Sequence, residues 1–188
     1  MKTSWIVLLL LLMSAFSFAQ IPSAPLSTAT ADIYVGYLAT FPDYGAQFDS
    51  YRFNGAEVSY TKPFTPHLGM VVSGDMVFGS VYSAKQFSLT VGPKYNLLTG
   101  RFRPYLTGQA GFAYQSSNGM YAGDHHPPLK PGASDTEDGF SYRLGAGVDI
   151  QLSHKIYWRA LQWDIQPQPW GRHTPWYTNV GSGIGFSF

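Results

Sequence analysis

The sequence predicts an all-β fold, an antiparallel up-and-down barrel of eight strands, and three observations support this prediction. Apolar residues alternate with small or polar residues along most of the chain, which is the period of a strand. The alternating segments mostly span about 9–13 residues, whereas soluble strands have about 5–6 and tilted membrane strands about 9–11. Only 12% of the 188 residues are charged and 16% are aromatic, although soluble domains have about 25% charged residues. These strands are therefore expected to cross a membrane.

The first residues read as an export signal rather than as part of the fold. Lys2 gives a basic start, residues 5–13 form a continuous apolar run, and small residues precede a cut after Ala19. The apolar run is shorter than the ~20 residues that a spanning helix needs. We therefore expect a cleavable signal peptide. Beyond it no run of 18 or more apolar residues occurs, which excludes a helical membrane protein.

The first four predicted strands show the alternation with increasing regularity. Residues 32–39, 53–61 and 68–78 are the weaker segments, and 85–97 alternates throughout. Their second face carries Gly, Ser, Thr and Gln with isolated charges, which suits a narrow interior. The apolar face comprises Ile33, Val35, Tyr37, Ala56, Val58, Tyr60, Leu68, Met70, Val72, Met76, Phe78, Phe87, Leu89 and Val91.

The last four predicted strands are residues 102–115, 139–151, 156–165 and 179–188. Three of them alternate clearly. The exception is the segment 156–165, because Arg159 falls on its apolar side. Either the Arg159 side chain extends to a membrane interface or a β-bulge changes the phase of the strand. The sequence leaves both explanations open.

The connections alternate between short and long. Tight turns cover residues 62–67, 98–101 and 152–155, and three of the four other connections, 40–52, 79–84, 116–138 and 166–175, are longer. Short periplasmic turns and long extracellular loops are typical of outer-membrane barrels. An even number of strands then places both chain ends in the periplasm. The predicted organisation is a signal peptide over 1–19, a short periplasmic lead over 20–30 and an outer-membrane β-barrel domain over 31–188.

Closure of the sheet follows from the environment. An unpaired backbone group in lipid costs several kcal/mol, so only a barrel without edges is stable there. Aromatic residues near the strand ends predict two interfacial belts. The periplasmic belt is expected to contain Tyr95, Phe102, Tyr157, Trp158, Phe186 and Phe188. The outer belt is expected to contain Phe41, Phe53, Phe78, Tyr82, Tyr114, Phe140 and Trp176.

The C-terminal segment VGSGIGFSF alternates apolar and small residues and ends in Phe, and residues 159–164 precede it as a further strand. From about residue 31 the chain resembles the eight-stranded outer-membrane barrels of the OmpA-like and OmpX-like type. The resemblance implies that Ile184, Phe186 and Phe188 form the signal read by the outer-membrane assembly machinery. It also implies contact with outer-membrane lipid and lipopolysaccharide. The residues up to Phe188 contain no segment like the peptidoglycan-binding domain of full-length OmpA, so we expect no anchoring to the cell wall.

The predicted inward face carries seven charged residues, four acids and three bases: Glu57, Asp75, Lys94, Arg103, Arg143, Asp149 and Asp164. We expect an ion-paired network that fills the lumen, because eight strands leave little free interior and an unpaired buried charge is costly. The alternative is a narrow porin-like pore or a proton path lined by these charges.

No metal, cofactor or catalytic site is predicted. Asp124, His125, His126 and the acids of 135–138 are of ligand type, but we interpret them as parts of a solvated loop. The absence of Cys excludes disulfides, thiolate metal sites and a cysteine nucleophile. The candidate metal-ligating segments therefore predict no bound ion.

A lipid A-modifying enzyme or an outer-membrane protease is a less favoured alternative. It would need a His beside a Ser and a carboxylate at the outer rim. His67 and His154 fall in the predicted periplasmic turns, and His173 has no Ser near it in sequence. Only the fold could bring Ser80, Ser83 or Ser116 towards it.

We expect a structural or surface-interaction role instead. Aromatic residues in the predicted loops suit contact with an extracellular ligand, although they could also pack over the barrel mouth. They are Phe41, Tyr44, Phe48, Tyr51, Tyr121, Trp170 and Trp176. A net charge of +1 argues against binding to nucleic acid. A soluble lipocalin-like barrel would place its charges outside, whereas here they fall on the Gly-rich face.

Overall fold

The chain forms a closed antiparallel barrel in the computed structural model. The structure describes residues 31–43, 52–79, 84–118, 134–169 and 176–188. The strands are β1 (Asp32–Asp43), β2 (Phe53–Pro63), β3 (Leu68–Gly79), β4 (Lys85–Asn96), β5 (Phe102–Asn118), β6 (Ser134–Gln151), β7 (Ile156–Pro167) and β8 (Trp176–Ser187). Each strand pairs with its neighbours in sequence, and β8 pairs with β1. This confirms the predicted eight-stranded up-and-down barrel.

Residues 1–30 lie outside the described part of the chain, so the signal peptide and the periplasmic lead remain predictions. The boundary of the barrel domain at residue 31 likewise remains a prediction. Among the described residues, no helix has the length and apolar character needed to cross a membrane.

The outer surface of the barrel is apolar and its interior is polar, the reverse of a soluble sheet protein. Along β4 the pattern of burial alternates at every residue from Lys85 to Tyr95, with Leu89 exposed and its neighbours Ser88 and Thr90 buried. The other strands keep the same orientation. Lipid in place of water around the barrel explains why large apolar side chains can face outward.

The strands extend further towards the long-loop rim than the sequence predicts. β5 and β6 remain paired up to Asn118 and Ser134, although the sequence predicts strand ends near residues 115 and 139. Apolar alternation is required only where a strand face meets lipid. Beyond that level the backbone pairing continues with polar residues, so the sequence pattern disappears before the strand ends.

A β-bulge in β7 determines the orientation of Arg159. Arg159 pairs with Asp149, but Val148 pairs with Leu161, which leaves Ala160 as an extra residue. The bulge changes the phase of the strand, so Arg159 is only 3% exposed while Leu161 is 50% exposed. Of the two explanations for this residue, the β-bulge is therefore correct and extension to the interface is not.

The bulge is stabilised by a side chain of the neighbouring strand. The Ser182 hydroxyl donates a hydrogen bond to the backbone carbonyl of Arg159 at 2.9 Å. The Trp158 indole N–H donates in turn to the Ser182 oxygen at 3.1 Å. Both side chains lie on the lipid side of the barrel, where a carbonyl without a partner is costly. This local network makes a bulge compatible with a membrane-facing strand.

The aromatic belts contain most of the predicted residues. Exposed aromatic side chains at the two rims are Tyr95, Phe102, Trp158, Phe186 and Phe188, and Phe41, Phe78, Tyr114, Phe140 and Trp176. The prediction is wrong for Phe53 and Tyr157, which are buried inside the barrel. Phe53 lies an even number of residues from the inward Glu57 on β2, and Tyr157 an even number from the inward Arg159 on β7. Both rings therefore point into the barrel, although aromatic residues are favoured at a membrane interface. The predicted Tyr82 lies outside the described residues.

Three tight turns, residues 64–67, 97–101 and 152–155, lie at one rim together with the last residues of β8. Backbone hydrogen bonds link them into a ring, with Asn96 N donating to His67 O, Gln151 N to Arg101 O and Ser187 N to Lys155 O. Gly100 has a φ of 150°, a conformation that side-chain-bearing residues rarely adopt. The turns are therefore held in fixed positions around the rim.

Candidate functional site

Arg143 on β6 crosses the middle of the lumen. Its guanidinium Nη1 donates to Glu57 Oε2 at 3.2 Å, and Nη2 contacts Asp75 Oδ1. Nη2 also lies 3.2 Å from Ser88 Oγ and from Gln166 Oε1. These partners come from β2, β3, β4 and β7, and Arg143 is fully buried. One side chain therefore connects strands on several sides of the barrel.

A second ion-paired group lies nearer the turn rim. Asp149 accepts from Lys94 Nζ at 2.6 Å and from Arg159 Nε at 2.9 Å. Both cations also lie over aromatic rings, Lys94 4.2 Å from the centroid of Tyr105 and the Arg159 guanidinium carbon 3.9 Å from that of Tyr34. Cations above ring faces are favourably placed in a desolvated site. One carboxylate and two rings therefore hold two buried cations.

Gln162 joins the two groups into one network. Its Nε2 donates to Glu57 Oε2 and to Asp164 Oδ2, both at 2.7 Å. Its Oε1 accepts from Arg159 Nη1 at 3.0 Å. Each charged side chain of this network, which runs from Lys94 to Arg143 through space, therefore has an ion-pair partner or a hydrogen bond. A network with its charges paired in this way is much less costly to bury than isolated charges.

Six of the seven predicted lumen charges are buried in the barrel: Glu57, Asp75, Lys94, Arg143, Asp149 and Asp164. Arg103 is half-buried near the turn rim, with its guanidinium carbon 5.3 Å from the ring centroid of Tyr157. Sequence reasoning missed Arg159, and the interruption of alternation in β7 was the signal for it. With Arg159 the described lumen holds four acids and four bases. A purely structural role for these charges remains a prediction.

An aromatic ring packs closely on a glycine at the turn end of the lumen. Tyr157 pairs across the ladder with Gly185, and a Cβ at Gly185 would collide with the Tyr157 ring. Tyr34 and Tyr105 are also buried there. Three large rings in an eight-stranded barrel leave little space at that level.

The opposite end of the lumen is lined by a different set of residues. Leu38, Phe53, Val77, Ala84 and Tyr177 form a buried apolar cluster. Buried polar side chains lie at the same end: Thr40, which pairs with Phe53, donates its hydroxyl to Asn179 Oδ1 at 2.7 Å, and the Tyr177 hydroxyl donates to Gln115 Oε1 at 2.7 Å. The lumen therefore has one end of mixed polarity, a charged middle and an aromatic end.

One cavity lies within the charged part of the lumen. It has a volume of about 10 Å³, and its lining includes Glu57, Lys94, Tyr105, Arg159 and Asp164. A cavity of this size holds about one water molecule. Among the described residues the Tyr105 hydroxyl has no hydrogen-bond partner, so a single water would have a polar group to bind.

The residues considered for other chemistry do not come together in the described chain. His67 and His154 lie at the turn rim, and Ser116 lies near the opposite end of β5. Asp124, His125, His126, His173, Ser80 and Ser83 lie outside the described residues, as do the loop aromatics Tyr44, Phe48, Tyr51, Tyr121 and Trp170. Within the part of the chain that the structure describes, no group of three His, Asp or Glu side chains could hold a metal ion.

The proposed assembly signal lies on the lipid side of β8. Ile184, Phe186 and Phe188 are all exposed. The backbone N–H of Phe188 donates to the carbonyl of Ala31 at 3.0 Å, which continues the pairing of the two ends of the barrel. Recognition of this segment by the assembly machinery remains a prediction.

Several solved structures share the architecture. The chain is similar to Neisserial surface protein A, with a TM-score of 0.67 and 11% identity over 85% of this chain and 98% of that one. It is similar to Ail, the attachment invasion locus protein of Yersinia pestis, with a TM-score of 0.57 and 17% identity over 85% and 99%. It is also similar to the N-terminal beta-barrel domain of Pseudomonas aeruginosa OprF, with a TM-score of 0.51 and 15% identity over 85% and 98%. At these identities the likeness shows the fold alone.

No curated protein matches the sequence. The family described as "Outer membrane protein beta-barrel domain" matches residues 6–188, nearly the whole chain. The apolar exterior, the closed eight-stranded topology and this match agree with each other. The chain belongs to the outer membrane protein beta-barrel domain family, and it is an outer-membrane barrel protein.

Proposed function

We propose that this outer-membrane barrel has a structural or surface-interaction role, that its lumen does not conduct and that it catalyses no reaction. The observation that carries the proposal is the position of Arg143, which crosses the lumen to side chains of four other strands. Breaking such a buried pair to open a path would cost about 3–5 kcal/mol. The network therefore favours a closed barrel as the resting state.

A narrow porin-like pore is the main competing function. It would need a continuous polar path, and the charged layer of the lumen is followed at one end by the apolar cluster around Phe53 and Tyr177. At the other end the Tyr34, Tyr105 and Tyr157 rings are buried. The cavity between these layers admits about one water molecule. These three features support the non-conducting interpretation.

The conductance of the pure protein in planar bilayers tests this part of the proposal. We expect no stepwise conductance from the refolded barrel, while an open porin in the same bilayer serves as a positive control. Reproducible steps whose size depends on the diameter of the added ion would contradict a closed lumen.

The surface role would be carried by the outer rim and its loops. Ail of Yersinia pestis has been solved in complex with the heparin analogue sucrose octasulfate. In our chain the described side chains of the outer rim include two acids, Glu137 and Asp138, and two bases, Arg52 and Lys85. These four side chains form no basic surface for a polyanion, so the proposed partner is not a polyanion.

Two cellular measurements test the remaining parts. Lipid A from cells with and without the protein should give the same mass spectrum, and a change that returns with the gene would establish catalysis. Protease treatment of intact cells should remove the loops but leave the barrel, and binding to a host surface should fall with the loops. Unchanged binding after complete loop removal would contradict a surface role.

A further inference from the structure

The rim that carries the tight turns is basic. Lys62 at the end of β2, Arg101 before β5 and Lys155 before β7 are all exposed. We call these three residues the rim cations. The acid at this rim among the described residues is Asp32, which is half-buried at the start of β1. Among the described side chains the opposite rim has two acids and two bases and the lumen is balanced, so an excess of positive charge is specific to this end.

Each of the same three connections also exposes a large apolar side chain. Phe64, Leu97 and Leu152 are 61%, 48% and 53% exposed, and we call them the rim anchors. Exposure of these apolar side chains to water would not stabilise a turn. A basic residue next to an apolar one is the composition of surfaces that lie at a lipid–water interface.

The rim cations lie directly beside the lipid-facing surface. Lys62 is on the outward face of β2 and pairs with Met70 of β3. Arg101 precedes the exposed Phe102, and Lys155 precedes the exposed Ile156. Long basic side chains in this position place their stems against apolar surface and their charges at the headgroups.

The backbone geometry distributes these charges around the barrel instead of collecting them in one pocket. The three turns connect β2 with β3, β4 with β5 and β6 with β7. Hydrogen bonds from Gln151 to Arg101 and from Ser187 to Lys155 fix two of the cation-bearing backbones in the ring of turns. A small soluble anion needs converging donors, whereas an arrangement around a circumference matches a planar array of anions.

We propose that the rim cations and rim anchors form a binding surface for anionic phospholipid headgroups of the periplasmic leaflet. Negative lipid headgroups attract nearby Lys and Arg, by about fivefold in binding constant for each cation. The rim anchors favour lipid over the cell-wall polymer, since they would enter the headgroup region. The inference rests on the membrane location of the barrel and on the predicted orientation with its tight turns in the periplasm, and it does not depend on whether the lumen conducts.

The test compares the full chain with the variant K62Q/R101Q/K155Q in nanodiscs. The discs contain phosphatidylcholine alone or mixed with phosphatidylglycerol, and native mass spectrometry measures which lipids stay with the protein. We expect the wild-type barrel to retain phosphatidylglycerol preferentially, and the preference to fall about fivefold for each cation removed. The preference should also weaken as salt rises, because the charges are exposed.

The variant R52Q/K85Q is the matched control, because it removes exposed cations from the opposite rim. It should lose less of the lipid preference than the triple variant, because the acids Glu137 and Asp138 share that rim with its two cations. Heat-modifiable gel mobility shows that each variant is folded, and single variants at Lys62, Arg101 and Lys155 replace the triple variant if it does not fold.

Three outcomes would overturn the proposal. In the first, the triple variant keeps the full preference for phosphatidylglycerol. In the second, the control variant loses as much preference as the triple variant. In the third, the triple variant keeps its lipid preference but no longer sediments with isolated peptidoglycan, which would identify the cell wall as the partner. None of these readouts depends on conductance, so they separate this inference from the proposed closed lumen.

Discussion

Removal of the Arg143 guanidinium would leave Glu57 and Asp75 buried without the cation between them. We expect Arg143→Gln to lower the free energy of unfolding by about 3–5 kcal/mol, because breaking a buried pair leaves an uncompensated charge. Urea unfolding of the refolded barrel in lipid vesicles measures the effect. The exposed Arg52→Gln is the control and should change the stability by less than about 1 kcal/mol. A similar small change for Arg143→Gln would show that its ion pairs are not structural.

Ser182 stabilises the bulge of β7 through its hydroxyl. We expect Ser182→Ala to cost about 1–3 kcal/mol, because the Arg159 carbonyl would lose its hydrogen bond on the lipid side. Ser182→Thr retains the hydroxyl and should recover most of the loss. The same unfolding experiment distinguishes the two variants, and equal stability for both would assign no role to the hydroxyl.

Strand parity alone predicts most of the lumen residues in the sequence. It places Glu57, Asp75 and Arg143 inward, as the structure shows. The prediction fails for Tyr157 because, without the bulge at Ala160, its position in the strand matches that of the outward Leu161. The hydrogen-bond partners within the lumen could not be predicted, because they depend on which side chains the curvature of the barrel brings together.

At the scale of the strand, β7 contains one residue more than its partners require. Deletion of Ala160 removes the extra residue of the bulge and leaves Arg159 facing inward next to the outward Leu161. We therefore expect this deletion to keep the barrel folded, with normal heat-modifiable gel mobility. Deletion of Ala146, within the regular part of β6, reverses the faces of half a strand and should abolish folding. If both deletions behaved alike, the assignment of the bulge to Ala160 would be wrong.

The sequence predicts the number and order of the strands because lipid enforces apolar alternation on each of them. It fails at the strand ends near the long loops. Residues 134–138 carry Asp and Glu and look like a loop, yet they pair with β5. Above the membrane the backbone ladder no longer constrains side-chain polarity, so composition cannot show where the ladder ends.

At the scale of the whole molecule, the described basic residues fall into three groups with different access to protease. Those of the lumen are Lys94, Arg103, Arg143 and Arg159, and we expect trypsin to cut after none of them in the folded barrel. Trypsin added to intact cells should reach sites at the outer rim, such as Arg52 and Lys85. Cleavage after Arg101 or Lys155 should occur only when the protease enters the periplasm. Mass spectrometry of the fragments gives the sites, and cleavage of intact cells at Arg101 would reverse the orientation.

The closed barrel topology follows from the sequence, but its charge arrangement does so only in part. A count of charges gives a total close to neutral. Among the described side chains, the lumen and the outer rim are each balanced and the turn rim is basic. The lumen has equal numbers of acids and bases only because the bulge at Ala160 turns Arg159 into the interior.

The network around Arg143 has a consequence for the order of biogenesis. Arg143 and Glu57 are 86 residues apart in the chain, and Arg143 and Asp75 are 68 apart. An incomplete sheet that had inserted only its first strands would hold two carboxylates in the bilayer before their cation arrived. Such an intermediate is strongly disfavoured, so we expect the early strands to cross the bilayer only together with β6. Membrane entry and ring closure are therefore expected to occur as a single concerted event.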